Sequence, residues 1–148
     1  MTYYAHLSKD GRMQTVIEHL QNVGNICADF AKPFGAEKQG MIVGLTHDIG
    51  KCSEEFQHRL HGGSVIDHAT AGAWECAKQG ADWAAVCVAG HHGGLPDMGN
   101  LNFDTADMST LYGRLRKALN GDIPAYELPI MISHVEQPFG YGKNRLTD

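Results

Sequence analysis

The sequence predicts an all-α fold: a helical bundle with a long loop after the pair His91-His92. Two features of the chain lead there. Through its first two-thirds, apolar residues recur at spacings of three and four, the period of one helical face. Glycines and prolines cut that pattern into segments of helix length, and nothing in it supports a substantial sheet.

From the amino end, Thr15 to Ala31 carries Val16, Leu20, Val23, Cys27 and Phe30 along one face of a helix that Pro33 and Gly35 stop. Glu37 to about Ile49 forms a second helix, with Met41, Ile42 and Leu45 as its apolar face and Gly50 breaking it. Ser53 to Leu60 restarts as a short helix, and Gly62-Gly63 is a flexible loop. Asp67 caps a helix that runs to Lys78 and is closed by Gly80; Asp82 caps another, from Trp83 to about Gly90. Trp74 and Trp83 fall at apolar helical positions and read as core. Gly93, Gly94, Pro96, Gly99 and two asparagines belong to a loop that reaches Asp107. Loops of that length are often functional or mobile, and this one is expected to shape the entrance to a site. Ser109 to Leu119 is the last expected helix, stopped by Asn120-Gly121. Its Arg114, Arg116 and Lys117 read as a solvated face, with contact to a nucleic-acid backbone as the alternative. The remainder holds Pro124, Pro129, Pro138, Gly140 and Gly142, and within it Ile130 to Val135 reads as a short strand or a helical turn. Arg145-Leu146-Thr147-Asp148 carries no closing signal, as expected of a cut through a longer protein.

A chain of 148 residues fits one domain, residues 1–148, and buries roughly two-thirds of its unfolded surface, so it needs no disulfide staple. No apolar run approaches the roughly 20 residues that span a bilayer, and the first residues lack the basic-then-apolar layout of a signal peptide. Cys27, Cys52, Cys76 and Cys87 form no CxxC pair and read as buried free thiols in a reducing cytoplasm. With 12 basic against 17 acidic residues, the net charge of −5 disfavours binding nucleic acid through a basic surface alone.

The unusual feature is histidine, nine in all. His47 and Asp48 adjoin near a helix end. Neighbours on a helix point about 100° apart, too wide for both to chelate one ion unless the helix end is distorted. The pair suits instead an aspartate whose two oxygens bridge two metals, with the histidine on one of them. The first helix aims His19 into the core, His68 opens a helix rich in small residues, and His91-His92 closes another, with His91 on the face of Trp83 and Cys87. Imidazole and carboxylate together suit Fe, Mn, Co, Ni or Zn. Lys51, about one helical turn after Asp48, reads equally as a solvated helix-end lysine or as a cation that stabilises a phosphate or bonds within the ligand shell. His58 and His61 read as surface, His134 as structural, and His6 as an N-terminal contact or a neighbour of the site.

The order His19, His47-Asp48, His68, His91-His92 resembles that of the HD-domain metal-dependent phosphohydrolases, whose two-metal members carry such extra histidines. The segments TVIEHLQNVG, GLTHDIGKCSEEFQHRL, DHATAG and AGHHGGLPD, with the opening YYAHLS, are similar to the N-terminal HD nuclease domain of the CRISPR-associated type I helicase–nuclease, subtype I-C in particular. The resemblance covers essentially residues 1–120. It implies one metal held by His19, His47 and Asp48, and a second held by Asp48, His68, His91 and His92. It further implies two divalent transition-metal ions (Fe, Mn, Co or Ni) and cleavage of single-stranded DNA exposed by a crRNA-guided surveillance complex. The partners would be that complex and helicase domains, in the cytoplasm and without a membrane. The family usually adds a late aspartate to the first metal, and no matching segment occurs here. Asp104, Asp107 and Asp148 are the carboxylates to consider in its place.

Two metals about 3.5–4 Å apart would activate water and stabilise the charged phosphate, so no side-chain nucleophile is required. Asp48 would set their separation. Two rivals stand beside this reading: an HD-superfamily phosphohydrolase of nucleotides or cyclic nucleotides, and a non-catalytic metal-binding docking module.

Overall fold

The computed structural model describes residues 1–136. The proline and glycines at 138, 140 and 142, and Asp148, lie outside the described residues. Among the described residues, six α-helices follow a short hairpin: β1 (Tyr4–Leu7), β2 (Met13–Thr15), α1 (Val16–Ala31), α2 (Glu37–Thr46), α3 (Glu54–Leu60), α4 (Ala69–Lys78), α5 (Asp82–Ala89) and α6 (Leu111–Leu119). The all-α expectation holds, with the antiparallel hairpin as an addition that the sequence reading did not include.

Local chemistry sets each boundary. Thr15 caps α1 in a reciprocal box with Glu18. Ser53 caps α3, and Thr110 caps α6. Asp67 accepts from the backbone N–H groups of Ala69 and Thr70 at the start of α4, as expected. Asp82 does not cap α5: it lies in the first turn and makes no capping bond. Residues 130–135 form neither strand nor helical turn; they run as an irregular segment whose Ile130, Ile132 and Val135 pack on the core.

The buried face of α1 also departs from expectation. Val16 and Leu20 are buried, but the stripe continues through Gly24 and Ala28 while Phe30 stays 76% exposed. The cause is the approach of α2. A Cβ on Gly44 would lie 2.5 Å from Gly24 Cα, so the two backbones touch where only glycine fits. On the other side of α2, a Cβ on Gly72 of α4 would overlap the carbonyl oxygen of Thr46. The end of α2 is thus wedged between α1 and α4, and α4 packs with α5 and α6 around Ala73, Cys76, Ala84, Ala85, Val88 and Leu111.

The carboxyl-terminal segment is fastened to this body. Tyr126 pairs with Ser53 as an isolated bridge and donates its hydroxyl to the buried Glu75 at 2.6 Å, while Lys78 reaches the same carboxylate at 2.7 Å. Arg114 is not solvated, contrary to expectation. It donates to Ala89 O at 2.6 Å and Thr70 Oγ1 at 3.2 Å, tying α6 to α5 and α4. Arg116 donates to Leu101 O at 2.8 Å and holds the long loop. All four cysteines are free, but only Cys52 and Cys76 are buried as expected; Cys27 is half-buried and Cys87 is exposed on α5. Among the described residues no helix is long and apolar enough to cross a membrane.

Candidate metal centre

Asp48 stands where α2 ends. The helix stops at Thr46, His47 caps it, and Asp48 takes φ −116°, ψ 20° before a 3₁₀ turn over Ile49–Lys51. The break lets two neighbouring side chains converge that a continuous helix would splay apart. The Asp48 residue is 3% exposed, yet histidines from four parts of the fold surround it.

The two oxygens of this carboxylate face different sets. Oδ2 lies 2.8 Å from His19 Nε2, 3.2 Å from His47 Nε2 and 2.9 Å from Lys51 Nζ. Oδ1 lies 3.2 Å from both His68 Nε2 and His91 Nε2. His92 completes the second set, its Nε2 2.9 Å from that of His68. The ligand atoms of Asp48, His68, His91 and His92 lie within 4.8 Å of one another, as do those of His19, His47 and Asp48. The structure therefore brings together all six metal candidates of the sequence, with Asp48 common to both sets.

Backbone contacts orient two of the rings. His47 Nδ1 donates to Gly44 O and His91 Nδ1 to Val88 O, each at 2.7 Å, in both cases a carbonyl three residues earlier at a helix end. In a neutral ring so bonded, Nε2 carries a lone pair. Both lone pairs then point toward an anionic oxygen, an arrangement that calls for a cation between them. Asp48 Oδ1 and His91 Nε2 are buried without a hydrogen-bond partner. Without a cation, the same packing would be met by protonated rings: burial pushes the Asp48 carboxyl up, but imidazoles donating to it outweigh that and hold it well below the usual carboxylate range. Burial likewise pulls His91 down, and its contacts with Asp48 and the Val88 carbonyl outweigh that and raise its pKa. Unpaired nitrogen and carboxylate donors converging on small gaps fit divalent transition metals.

Lys51 is 6% exposed, which removes the solvated alternative. Its ammonium also reaches Ala5 O at 3.4 Å and lies over the Phe56 ring. Ala5 belongs to β1, and so does His6, whose ring meets His19 edge-on with centroids 4.8 Å apart. The hairpin thus forms one wall of the centre. The sequence left His6 between two readings; the structure puts it beside the site, where burial, Lys51 and His19 lower its pKa. His58, His61 and His134 are exposed.

Among the described residues no further carboxylate joins His19, His47 and Asp48. Asp104 accepts from the Thr110 hydroxyl and Asp107 from that of Thr105, which places both in the loop's own hydrogen bonding.

A family model described as "Cas3, HD domain" matches residues 13–127. The chain is also similar to a ribonuclease Y of Syntrophobacter fumaroxidans, 28% identical over 126 residues. That match takes in 84% of this chain and 21% of the relative, so the chain spans about a fifth of the curated protein's length.

Proposed function

The chain belongs to the Cas3 HD-domain family, and on that premise we propose that it is a metal-dependent nuclease cutting single-stranded DNA in type I CRISPR interference. The family's coarser character, HD-superfamily metal-dependent hydrolysis of phosphate esters, fits the His/Asp cluster. The observation that supports two-metal chemistry is the two-sided Asp48, one oxygen toward His19 and His47 and the other toward His68 and His91, while the choice of single-stranded DNA and of CRISPR interference leans on the family match.

In this reading His19, His47 and Asp48 hold one divalent ion, and Asp48, His68, His91 and His92 hold the other. Such ions, when bound, supply a water nucleophile at neutral pH and offset charge on the phosphate. The protein's part is placement. Asp48 stays ionised and buried, so its two oxygens set the spacing of the ligand sets. The Gly44 and Val88 carbonyls fix the ring orientation of His47 and His91, as partners of ligating imidazoles commonly do. Lys51 neutralises part of the carboxylate's charge at Oδ2 and helps to hold Asp48 in place beneath the centre. His92 is exposed while Asp48 is sealed, so substrate approaches from the His92 side. The net charge of −5 fits a domain to which other parts of a larger assembly deliver the strand: helicase domains and a crRNA-guided surveillance complex in the cytoplasm.

The test is turnover by the 148-residue chain with added Mn²⁺ or Fe²⁺. Circular single-stranded DNA, duplex DNA, single-stranded RNA, cyclic dinucleotides and mononucleotides are compared. Cutting of circular single-stranded DNA with two metals bound per chain is expected. Turnover of nucleotides alone would assign a small-molecule phosphohydrolase. Preference for RNA would align the chain with the activity that its ribonuclease Y relative is named for. One metal or none, without turnover, would make it a docking module.

A further inference from the structure

A groove of about 660 Å³ opens onto His68 and His92. Its volume lies within the roughly 300–1,000 Å³ usual for small-ligand sites. One wall comes from the end of α3 and the loop after it, with Arg59 and Val65; the other comes from the loop after His92, with Leu95 and Pro96. Two guanidinium groups border it. That of Arg114 is committed to Ala89 O and Thr70 Oγ1 and pairs at 3.6 Å with Asp67, the carboxylate in the groove's lining. Arg59 is half-buried as a residue, and its guanidinium has no hydrogen-bond or ion-pair partner among the described residues. Val65 is 84% and Leu95 73% exposed, two apolar side chains left to water on the lips of a groove that ends at the metal centre.

Resting on the nuclease reading above, we propose that this groove is a subsite for one unpaired nucleotide of the DNA strand next to the scissile phosphate. Arg59 binds the nucleotide's phosphate, and Val65 and Leu95 pack on its base. A free guanidinium is the fitting partner for a phosphate, which it can engage with two parallel N–H bonds. Apolar side chains gain from a base only when its face is uncovered. In a duplex both faces of a base are stacked on its neighbours, so the groove selects an unstacked strand. Every base offers such a face, so selection is for single-strandedness and not for sequence. The metal centre supplies no such preference, because it meets only the phosphate. The two lips belong to loops with glycines at positive φ, Gly62 (105°) and Gly94 (88°), which set how the chain turns into each wall.

The test separates binding from cutting. A fluorescent phosphorothioate strand, resistant to cleavage, reports affinity by anisotropy; a phosphodiester strand of the same sequence reports turnover; and each is compared with a strand abasic at one central position. Arg59→Ala should weaken binding of the intact strand by roughly tenfold or more, the scale of a charge-assisted hydrogen bond. It should raise KM while leaving kcat and the two-metal stoichiometry unchanged. Leu95→Ser, alone and with Val65→Ser, should bind the abasic strand as the wild type does and the intact strand about fivefold or more weaker, the scale of losing one or two buried methylene groups. Equal affinity of wild type and Arg59→Ala, or an unaltered preference for intact over abasic strand in the serine variants, overturns the subsite. So does failure of the wild type to bind the strand. Binding with these variant effects but no cutting of the phosphodiester strand overturns the nuclease reading and leaves the groove as a nucleotide site.

Discussion

Gly50 puts the link between packing and the metal centre to a direct test. It lies in the 3₁₀ turn after Asp48, and its φ is not in the left-handed region, so alanine meets no backbone strain there. On conformational entropy alone Gly50→Ala would stabilise the fold by about 0.4–1 kcal/mol. The space decides otherwise. A methyl group at Gly50 would lie 2.7 Å from both Cα and the carbonyl carbon of His68, and closer still to its oxygen. Carbon atoms in contact sit about 3.5–4.0 Å apart, so one backbone must retreat by about 1 Å. Neither side can yield by rotating a side chain. Overpacking of this kind costs about 1–3 kcal/mol, enough to outweigh the entropic gain. The retreat moves His68, whose Nε2 stands 3.2 Å from Asp48 Oδ1, by several times the roughly 0.2 Å tolerance of a metal–ligand distance. We expect a lower urea midpoint for the metal-free variant. Calorimetric Mn²⁺ titration should show a loss of about 10–100-fold in affinity at the His68 set, comparable with loss of a supporting contact. Gly93→Ala is the control: it follows His92 directly, but its Cβ would meet nothing within 4 Å, so stability should stay within about 0.5 kcal/mol. A Gly50→Ala protein as stable as wild type, binding both ions equally well, would refute the reasoning.

Three further outcomes are expected. Asp48→Ala should abolish nuclease activity and retain wild-type helical circular dichroism; full activity in the folded variant would remove the shared carboxylate from the mechanism. His91→Ala and His92→Ala should each empty the same ion in anomalous scattering maps, and in the unaltered chain that ion, with four protein ligands against three, should resist a chelator longer than the other. Equal and tight occupancy of both would mean that a further residue completes the three-ligand set. Tyr126→Phe should cost about 1–3 kcal/mol in urea unfolding, because its hydroxyl bonds the buried Glu75 carboxylate at 2.6 Å. Burial first, and Glu75 second, raise the Tyr126 pKa above its ordinary value of 10. The folded state thus holds that proton more tightly than the unfolded chain. The contribution is complete below pH 10 and declines as pH rises toward the folded value, so wild type should lose its margin over Tyr126→Phe in that alkaline range.

The helices were legible because their signals are local. The Asp67 cap, the Gly80 close and the Asn120-Gly121 stop each act within one turn. The histidine set was legible because one residue type recurs at helix ends. What escaped is what depends on neighbours. Hydrophobic spacing favoured Val23, Cys27 and Phe30 over Gly24 and Ala28, since it cannot register that α2 approaches closely enough to make small residues the buried ones. The strands of the hairpin, four and three residues long, are too short for a periodic signal, although Asp10-Gly11 lies in the turn between them. Arg114 looked like an ordinary surface charge because its partners, Ala89 and Thr70, are distant in sequence, and Lys51 stood between two readings because its burial under Ala5 is a long-range contact too.

The anchoring of His47 and His91 to carbonyls three residues before them bears on how this chain can vary in length. One residue added within the last turn of α2 or α5 turns the ring that follows by about 100° and carries it away from the carbonyl that aims it. A residue added to the stretch 62–66, or to the loop between His92 and Thr110, leaves every ligand's helical register as it was. Insertions and deletions should therefore accumulate in those two connections and spare the ends of α2 and α5, so that sequences of quite different length can keep one spacing between Gly44 and His47 and between Val88 and His91.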